Sequence, residues 1–138
     1  MIGLRTFRKS TISPQLVEAL SDRYSEHELR VIDRTGTVVT IDAGATFVTE
    51  GASGREALLI LDGTAAVSRQ GEAVATVGRG DIVGEAAILS GQPRNASLIA
   101  TTELTAVVFS SREFVSLLDA CPRLNTIVEE TVEERLVA

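Results

Sequence analysis

The chain has 138 residues, the size of one domain, and 44% of them are hydrophobic, so it can fill a core of its own. It carries 13 Lys and Arg against 19 Asp and Glu, a net charge of −6 at pH 7. This balance argues against direct binding to nucleic acid, which requires a basic surface that neutralises phosphates. It does not exclude a small anion, because a single arginine can set the field locally.

Cysteine usage and hydropathy predict where the chain works. Cys121 is the only cysteine, so no internal disulfide can form and a reducing, cytoplasmic setting is expected. The first ten residues contain three basic side chains with no apolar stretch after them, which is not the pattern of a signal peptide. Apolar runs such as residues 57–61 are too short to span a bilayer, so no membrane association is expected.

Residues 1–36 predict an N-terminal helical segment. Ser13 followed by Pro14 is typical of a helix start. The apolar stripe of this helix is predicted to consist of Leu16, Val17 and Leu20. A second helix is predicted to begin at Ser25, because Glu28 three residues later completes a capping box.

From residue 37 to residue 110 the hydrophobic period changes to two. Six short, β-branched runs separated by turn residues are predicted to be strands: 38–41, 57–61, 65–68, 73–77, 97–101 and 104–109. Asp62-Gly63 and Gln70-Gly71 are predicted to form hairpin turns between successive runs. Many short strands at close spacing predict an antiparallel β-roll or jelly roll.

Residues 111–138 predict two C-terminal helices. Ser110 and Glu113 give a capping signal for the first helix, and Pro122 ends it and begins the second. The second helix has a roughly continuous apolar face made of Leu124, Ile127, Val128, Val132 and Leu136. Residues 1–138 are therefore predicted to form a single domain, mainly β with flanking helices.

Residues 83–97 interrupt the strands with residue types that suit a small phosphorylated sugar. Backbone N–H groups near Gly84 and at a helix start can approach a phosphate without side-chain interference. Glu85 can accept hydrogen bonds from sugar hydroxyls, and Arg94 offers a fork of donors that matches phosphate oxygens. Ala96 and Ser97 leave room for close backbone approach. Taken singly, each residue also fits an ordinary structural role, such as a turn arginine or an acid at a helix N-terminus.

The 83–97 segment resembles the phosphate-binding cassette of the cyclic nucleotide-binding domain family, in which Gly-Glu and small or apolar residues precede Pro-Arg and further small residues. Similar stretches in the family's order lie at residues 41–46, 50–54, 58–64 and 78–81, so the resemblance covers about residues 25–137. It implies a β-roll that binds a cyclic nucleotide, as in catabolite-activator-like regulators and protein kinase A regulatory subunits. No helix-turn-helix follows here, so a stand-alone sensor is expected.

The resemblance also implies a ligand-binding site composed of Gly84, Glu85, Ala86, Arg94, Asn95, Ala96 and Ser97. Arg94 would bind the phosphate, Glu85 the ribose 2′-hydroxyl, and Ala96 and Ser97 further phosphate oxygens. Asn95 departs from the Ala, Ser or Thr that is common in the family at this position. In the family, small residues there go with cAMP and Thr goes with cGMP, so Asn95 leaves the choice of base open. The resemblance as a whole leans toward cAMP as the ligand, with cGMP as the other candidate.

Two functional hypotheses remain. In the first, a cyclic nucleotide repositions the C-terminal helices, which changes contact with an unknown protein partner or with a second copy in a homodimer. In the second, the chain retains the fold as a scaffold or dimerisation module without a nucleotide. Asn95 and the lack of an aromatic residue between Asn125 and Ala138 favour the second hypothesis.

An enzyme is not expected, because the sequence has no paired acid–base set and no activated nucleophile. No cofactor or metal site is expected either, since the single histidine, His27, lacks enough neighbouring ligands and should lie at the surface. The chain also fits one domain of a longer regulator, although the Met1 start favours a complete protein.

Overall fold

The computed structural model describes residues 13–128. Its helices and strands are, in chain order, α1 (Pro14–Leu20), α2 (Glu26–Thr35), β1 (Thr37–Ile41), β2 (Thr46–Val48), β3 (Glu56–Asp62), β4 (Ala65–Arg69), β5 (Glu72–Val77), β6 (Ile82–Val83), α3 (Glu85–Ser90), β7 (Ser97–Ala100), β8 (Leu104–Ser110) and α4 (Ser111–Ala120). Residues 122–128 are the described part of a further helix, α5.

The strands of the described chain form two antiparallel sheets of four strands each, in the orders β1-β8-β3-β6 and β2-β7-β4-β5. The two sheets pack together through an apolar core that includes Leu58, Ile60, Leu98 and Ala106. A second core joins the helices α1, α2, α4 and α5 to the first sheet. The predicted fold, mainly β with an antiparallel β-roll and flanking helices, is confirmed.

Strand β3 lies between these two cores, and this position explains its composition. Its five central residues, 57–61, are all buried. Alternate residues contact the opposite sheet on one side and the helices on the other, because successive side chains of a strand point to opposite faces. A strand covered on both faces reads as one continuous apolar run.

All six predicted strands are present. Two further strands were not predicted, and one of the two predicted hairpin turns is wrong. Strands β2 and β6 have three and two residues, too few for a period of two to show in the sequence. The Gln70-Gly71 hairpin is confirmed between β4 and β5, with both residues at positive φ. The Asp62-Gly63 hairpin is wrong: β3 and β4 belong to different sheets, so this turn carries the chain from one sheet to the other.

The helix starts follow the predicted caps. The side chain of Ser25 accepts a hydrogen bond from the N–H of Glu28, and the Glu28 carboxylate accepts one from the N–H of Ser25. Ser110 and Glu113 repeat this arrangement at the start of α4. The apolar stripe of α1 is narrower than predicted, because Val17 is 40% exposed.

The predicted apolar face of the last helix is only partly within the described residues. Leu124 and Val128 are buried, whereas Ile127 is 36% exposed. Val132 and Leu136 lie outside the described residues. Within residues 13–128, every helix falls short of the length and apolar character needed to cross a bilayer. The division into residues 1–36, 37–110 and 111–138 stays a prediction, since both ends lie outside the described part.

Candidate ligand-binding site

Arg94 is held by backbone groups from separate chain segments. Its Nη1 donates to the carbonyl oxygen of Gly84 at 2.7 Å, and its Nη2 donates to the carbonyl oxygen of Glu56 at 3.0 Å. Its own N–H donates to Ala52 at 2.8 Å, while its carbonyl oxygen accepts from the N–H of Gly51 at 2.8 Å. The guanidinium is therefore fixed in orientation by the fold.

Two glycines leave space for this guanidinium. Gly84 has a φ of +81°, a conformation that disfavours any side chain, and a β-carbon there would lie 2.6 Å from Nη1 of Arg94. A β-carbon at Gly54 would lie 2.9 Å from Nε of Arg94 and would also overlap the side chain of Ala87. The glycines at 54 and 84 are thus required for the position of Arg94.

Arg94 carries a positive charge that no described carboxylate pairs with in a salt bridge, so it can bind an anion. Burial lowers the pKa of its guanidinium, and the carboxylates of Glu56 and Glu85 act in the opposite direction. The group nevertheless stays protonated, as arginine does in proteins. Within the described residues no carboxylate lies close enough to form a salt bridge with it. A half-buried cation whose hydrogen bonds go only to neutral carbonyls attracts a negatively charged ligand.

Arg94 opens onto a cavity of about 320 Å³ that lies against the second sheet and the 83–97 segment. The lining is apolar apart from two arginines and an asparagine, and it contains no acidic residue among those described. The lining residues are Val48, Val67, Arg69, Val74, Ala75, Val77, Val83, Gly84, Ala86, Ala87, Arg94, Asn95, Ala96 and Leu98. In a chain of net charge −6, this cavity is a local exception that suits an anionic ligand with an apolar part.

The structure brings five of the seven predicted site residues to this cavity: Gly84, Ala86, Arg94, Asn95 and Ala96. The two others lie beside it. Glu85 begins α3 and is fully buried without lining the cavity. The hydroxyl of Ser97 accepts a hydrogen bond at 2.9 Å from the N–H of Glu50, which connects β7 to the loop between β2 and β3.

Sequence reasoning did not identify the wall of the cavity that β4 and β5 provide. Val67 and Arg69 are alternate residues of β4 and therefore lie on the same face of the strand, and Val74 and Ala75 come from β5. The alternation in β4 was the only signal in the sequence, and it does not show which face meets a ligand.

No cluster of metal ligands is found among the described residues: within residues 13–128, no three His, Cys, Asp or Glu side chains come together.

The fold and the site define a class of protein: a β-roll whose cavity, lined by a fixed arginine and free of acids, can take a small organic anion. Comparison with known families makes this specific. The family model "Cyclic nucleotide-binding domain" matches residues 38–121, which is more than half of the chain. The chain therefore belongs to the cyclic nucleotide-binding domain family.

Individual relatives agree with this assignment. The chain is 35% identical over 104 residues to a cAMP-dependent protein kinase regulatory subunit of Yarrowia lipolytica; the match covers 74% of this chain but only 28% of that protein. The catabolite activator protein of Thermus thermophilus has the same fold, with a TM-score of 0.72 at 19% identity over 88% of this chain and 58% of its own.

A further structural neighbour is described as belonging to a cAMP-independent kinase. The regulatory subunit of a cAMP-independent protein kinase A from Trypanosoma brucei superimposes with a TM-score of 0.71 at 23% identity, over 94% of this chain and 50% of its own. Likeness at this level establishes the fold alone.

Proposed function

We propose that the chain is a regulatory module that binds a cyclic nucleotide, with cAMP as the expected ligand, and transmits binding to its C-terminal helices. The observation that carries this proposal is Arg94, a guanidinium fixed by two carbonyl groups at the edge of an acid-free cavity. A preorganised arginine loses little conformational freedom when it binds a phosphate, and its fork matches two phosphate oxygens.

The 83–97 segment can supply the remaining polar contacts of the phosphate and the ribose. The backbone around Ala86, Asn95 and Ala96 adjoins Arg94 and carries no large side chain, so its N–H groups are accessible to phosphate oxygens. We assign Glu85 to the ribose 2′-hydroxyl, because it lies between two cavity-lining residues in the chain and is held in a buried position. Ser97, the first residue of β7, would contact a phosphate oxygen.

The base would lie against the apolar wall that β4 and β5 provide. Val67 and Val74 offer the flat apolar surface that a ring face requires. The preference for cAMP rests on the family resemblance and on the name of the Yarrowia relative rather than on Asn95, whose amide can both donate and accept.

Helix α3 connects the cavity to the helical layer. Ala86 and Ala87 line the cavity, and the next residue, Ile88, packs against the core that contains α1, α2, α4 and α5. A ligand that shifts α3 would therefore change the packing of the helices. Such a shift requires that the two helix arrangements differ in ligand affinity. A partner protein or a second copy would contact the exposed apolar residues Val115 and Ile127 of α4 and α5.

The alternative function is a scaffold or dimerisation module that does not bind a nucleotide. Asn95 favours it, because it departs from the Ala, Ser or Thr that is common in the family at this position, whereas the fixed geometry of Arg94 favours the sensor. A cytoplasmic location and the absence of catalysis stay predictions in both cases.

Isothermal titration of cAMP and cGMP into the purified chain tests the proposal. We expect one saturable site in the wild type and a loss of about 2–5 kcal/mol of binding free energy in Arg94→Ala, because a buried phosphate then loses its charged partner. Arg112→Ala is the matched control, since Arg112 is exposed on α4 outside the cavity. Absence of binding to both nucleotides at millimolar concentration would overturn the sensor and leave the scaffold.

A further inference from the structure

A second arginine, Arg69, lines the same cavity and takes no part in the contacts assigned above. It is the last residue of β4, immediately before the Gln70-Gly71 turn. Its Nε is buried and has no hydrogen-bond partner among the described residues. No described carboxylate forms a salt bridge with it either. A buried donor without a partner costs free energy, so a ligand that supplies an acceptor there gains binding energy.

The strand register places Arg69 beside the base wall. Ser68 pairs with Ser97 across β4 and β7, so Arg69 lies next to the end of the 83–97 segment. It lies on the same strand face as Val67, two residues earlier, and both line the cavity. The wall therefore combines an apolar surface with one guanidinium at its end.

The two arginines suit different parts of a nucleotide, Arg94 the phosphate and Arg69 the base. Arg94 is fixed by carbonyls in the 83–97 segment and suits the single charge of a cyclic phosphate. Arg69 comes from the wall on which a base would stack, and a guanidinium has donors only. A 6-keto purine presents O6 and N7 side by side, two acceptors that match this fork, whereas adenine presents a 6-amino donor beside N7.

We propose that Arg69 donates to the edge of the base and selects for a 6-keto purine, such as guanine, against adenine. This inference rests on the proposed function, because it needs a nucleotide in the cavity. Asn95 cannot give the same selectivity alone, since an amide pairs with either edge. Arg69 thus acts against the preference for cAMP that the family resemblance implies, and the relative affinities of the two nucleotides decide which influence is stronger.

The test measures the dissociation constants of cAMP, cGMP and cyclic inosine monophosphate for the wild type, Arg69→Met and Arg69→Lys. Cyclic inosine monophosphate has the 6-keto group but no 2-amino group, so it separates an O6 contact from any contact of Asn95 with the amino group of guanine. Arg112→Met controls for the loss of one positive charge outside the cavity. Circular dichroism verifies that each variant is folded.

In Arg69→Met we expect binding of both keto nucleotides to weaken about tenfold or more while cAMP changes much less, as for loss of a bidentate purine contact. Arg69→Lys should resemble Arg69→Met, because an ammonium lacks the fork. An equal loss for all three nucleotides would assign Arg69 to the phosphate and overturn the proposal, and so would no change. A wild type that binds none of the three would overturn the proposed function itself, a result distinct from both.

Discussion

The Arg94 guanidinium fills the space that a β-carbon of residue 84 would need: this carbon would lie 2.6 Å from Nη1, the atom that donates to the Gly84 carbonyl at 2.7 Å. Glycine is therefore needed at position 84 for two reasons, the left-handed backbone and the closeness of Arg94. The two reasons can be separated by experiment, because other turns of this chain have the first requirement without the second.

Gly84→Ala is expected to lower both stability and ligand affinity. Gly71→Ala is its control, since Gly71 has almost the same φ, +82°, but no atom within 4 Å of the added carbon. The control should lose about 1–2 kcal/mol of unfolding free energy from backbone strain alone. Gly84→Ala should lose more and should also weaken nucleotide binding, because Arg94 must move. Urea unfolding and isothermal titration measure the two effects, and equal losses in both variants would contradict the role of the contact.

Glu85 provides a test of sugar recognition that does not depend on the base. If its carboxylate accepts from the ribose 2′-hydroxyl, the wild type should bind 2′-deoxy-cAMP about tenfold or more weakly than cAMP, because the deoxy ligand cannot donate this hydrogen bond to the buried carboxylate. In Glu85→Ala this ratio should approach one even though both affinities fall. The ratio of the two dissociation constants is the readout, so a general loss of affinity does not imitate the effect. A ratio that stays unchanged in the variant would assign Glu85 to structure alone.

Local signals predicted much of this fold, and the failures share a cause. The capping boxes at Ser25 and Ser110 were predictable because each is made by residues three apart in the chain. The Asp62-Gly63 turn has the sequence of a hairpin, but whether two successive strands pair depends on their other neighbours: β3 pairs with β8 and β6, and β4 with β5 and β7.

The site shows the same division between local and distant information. Gly84 and Arg94 could be assigned from the 83–97 segment because they lie ten residues apart in one motif. Arg69 could not be assigned in this way. It reaches the cavity only because β4 lies beside β7, and no pattern within β4 specifies that neighbour. The backbone contacts of Arg94 with Gly51 and Ala52 are likewise made across the fold and were not visible in the sequence.

Cys121 is expected to make the free energy of unfolding depend on pH in the alkaline range. Burial is the largest influence on the Cys121 thiol and raises its pKa, and burial also raises the pKa of Tyr24. A group whose pKa is raised on folding holds its proton more tightly in the native state, so stability falls as pH rises past the pKa of the unfolded thiol, about 8.5. We expect unfolding free energy to be constant from pH 7 to 8 and to decline above about pH 9. Cys121→Ala should remove the earlier part of this decline, and an identical pH profile would contradict the assignment.

The same thiol reports whether the cavity is coupled to the C-terminal helices. Cys121 is buried between α4 and α5, so its alkylation requires these helices to open. If α3 transmits ligand binding through Ile88, saturating nucleotide should slow alkylation by iodoacetamide about fivefold or more, the usual size of coupling between two sites. Ile88→Ala should still bind the nucleotide but lose most of this slowing. Leu89→Ala, which truncates an exposed neighbour on the same helix, should retain it. Equal slowing in Ile88→Ala and the wild type would show that stabilisation by the ligand reaches the helices by another route, and no slowing in the wild type would contradict the coupling itself.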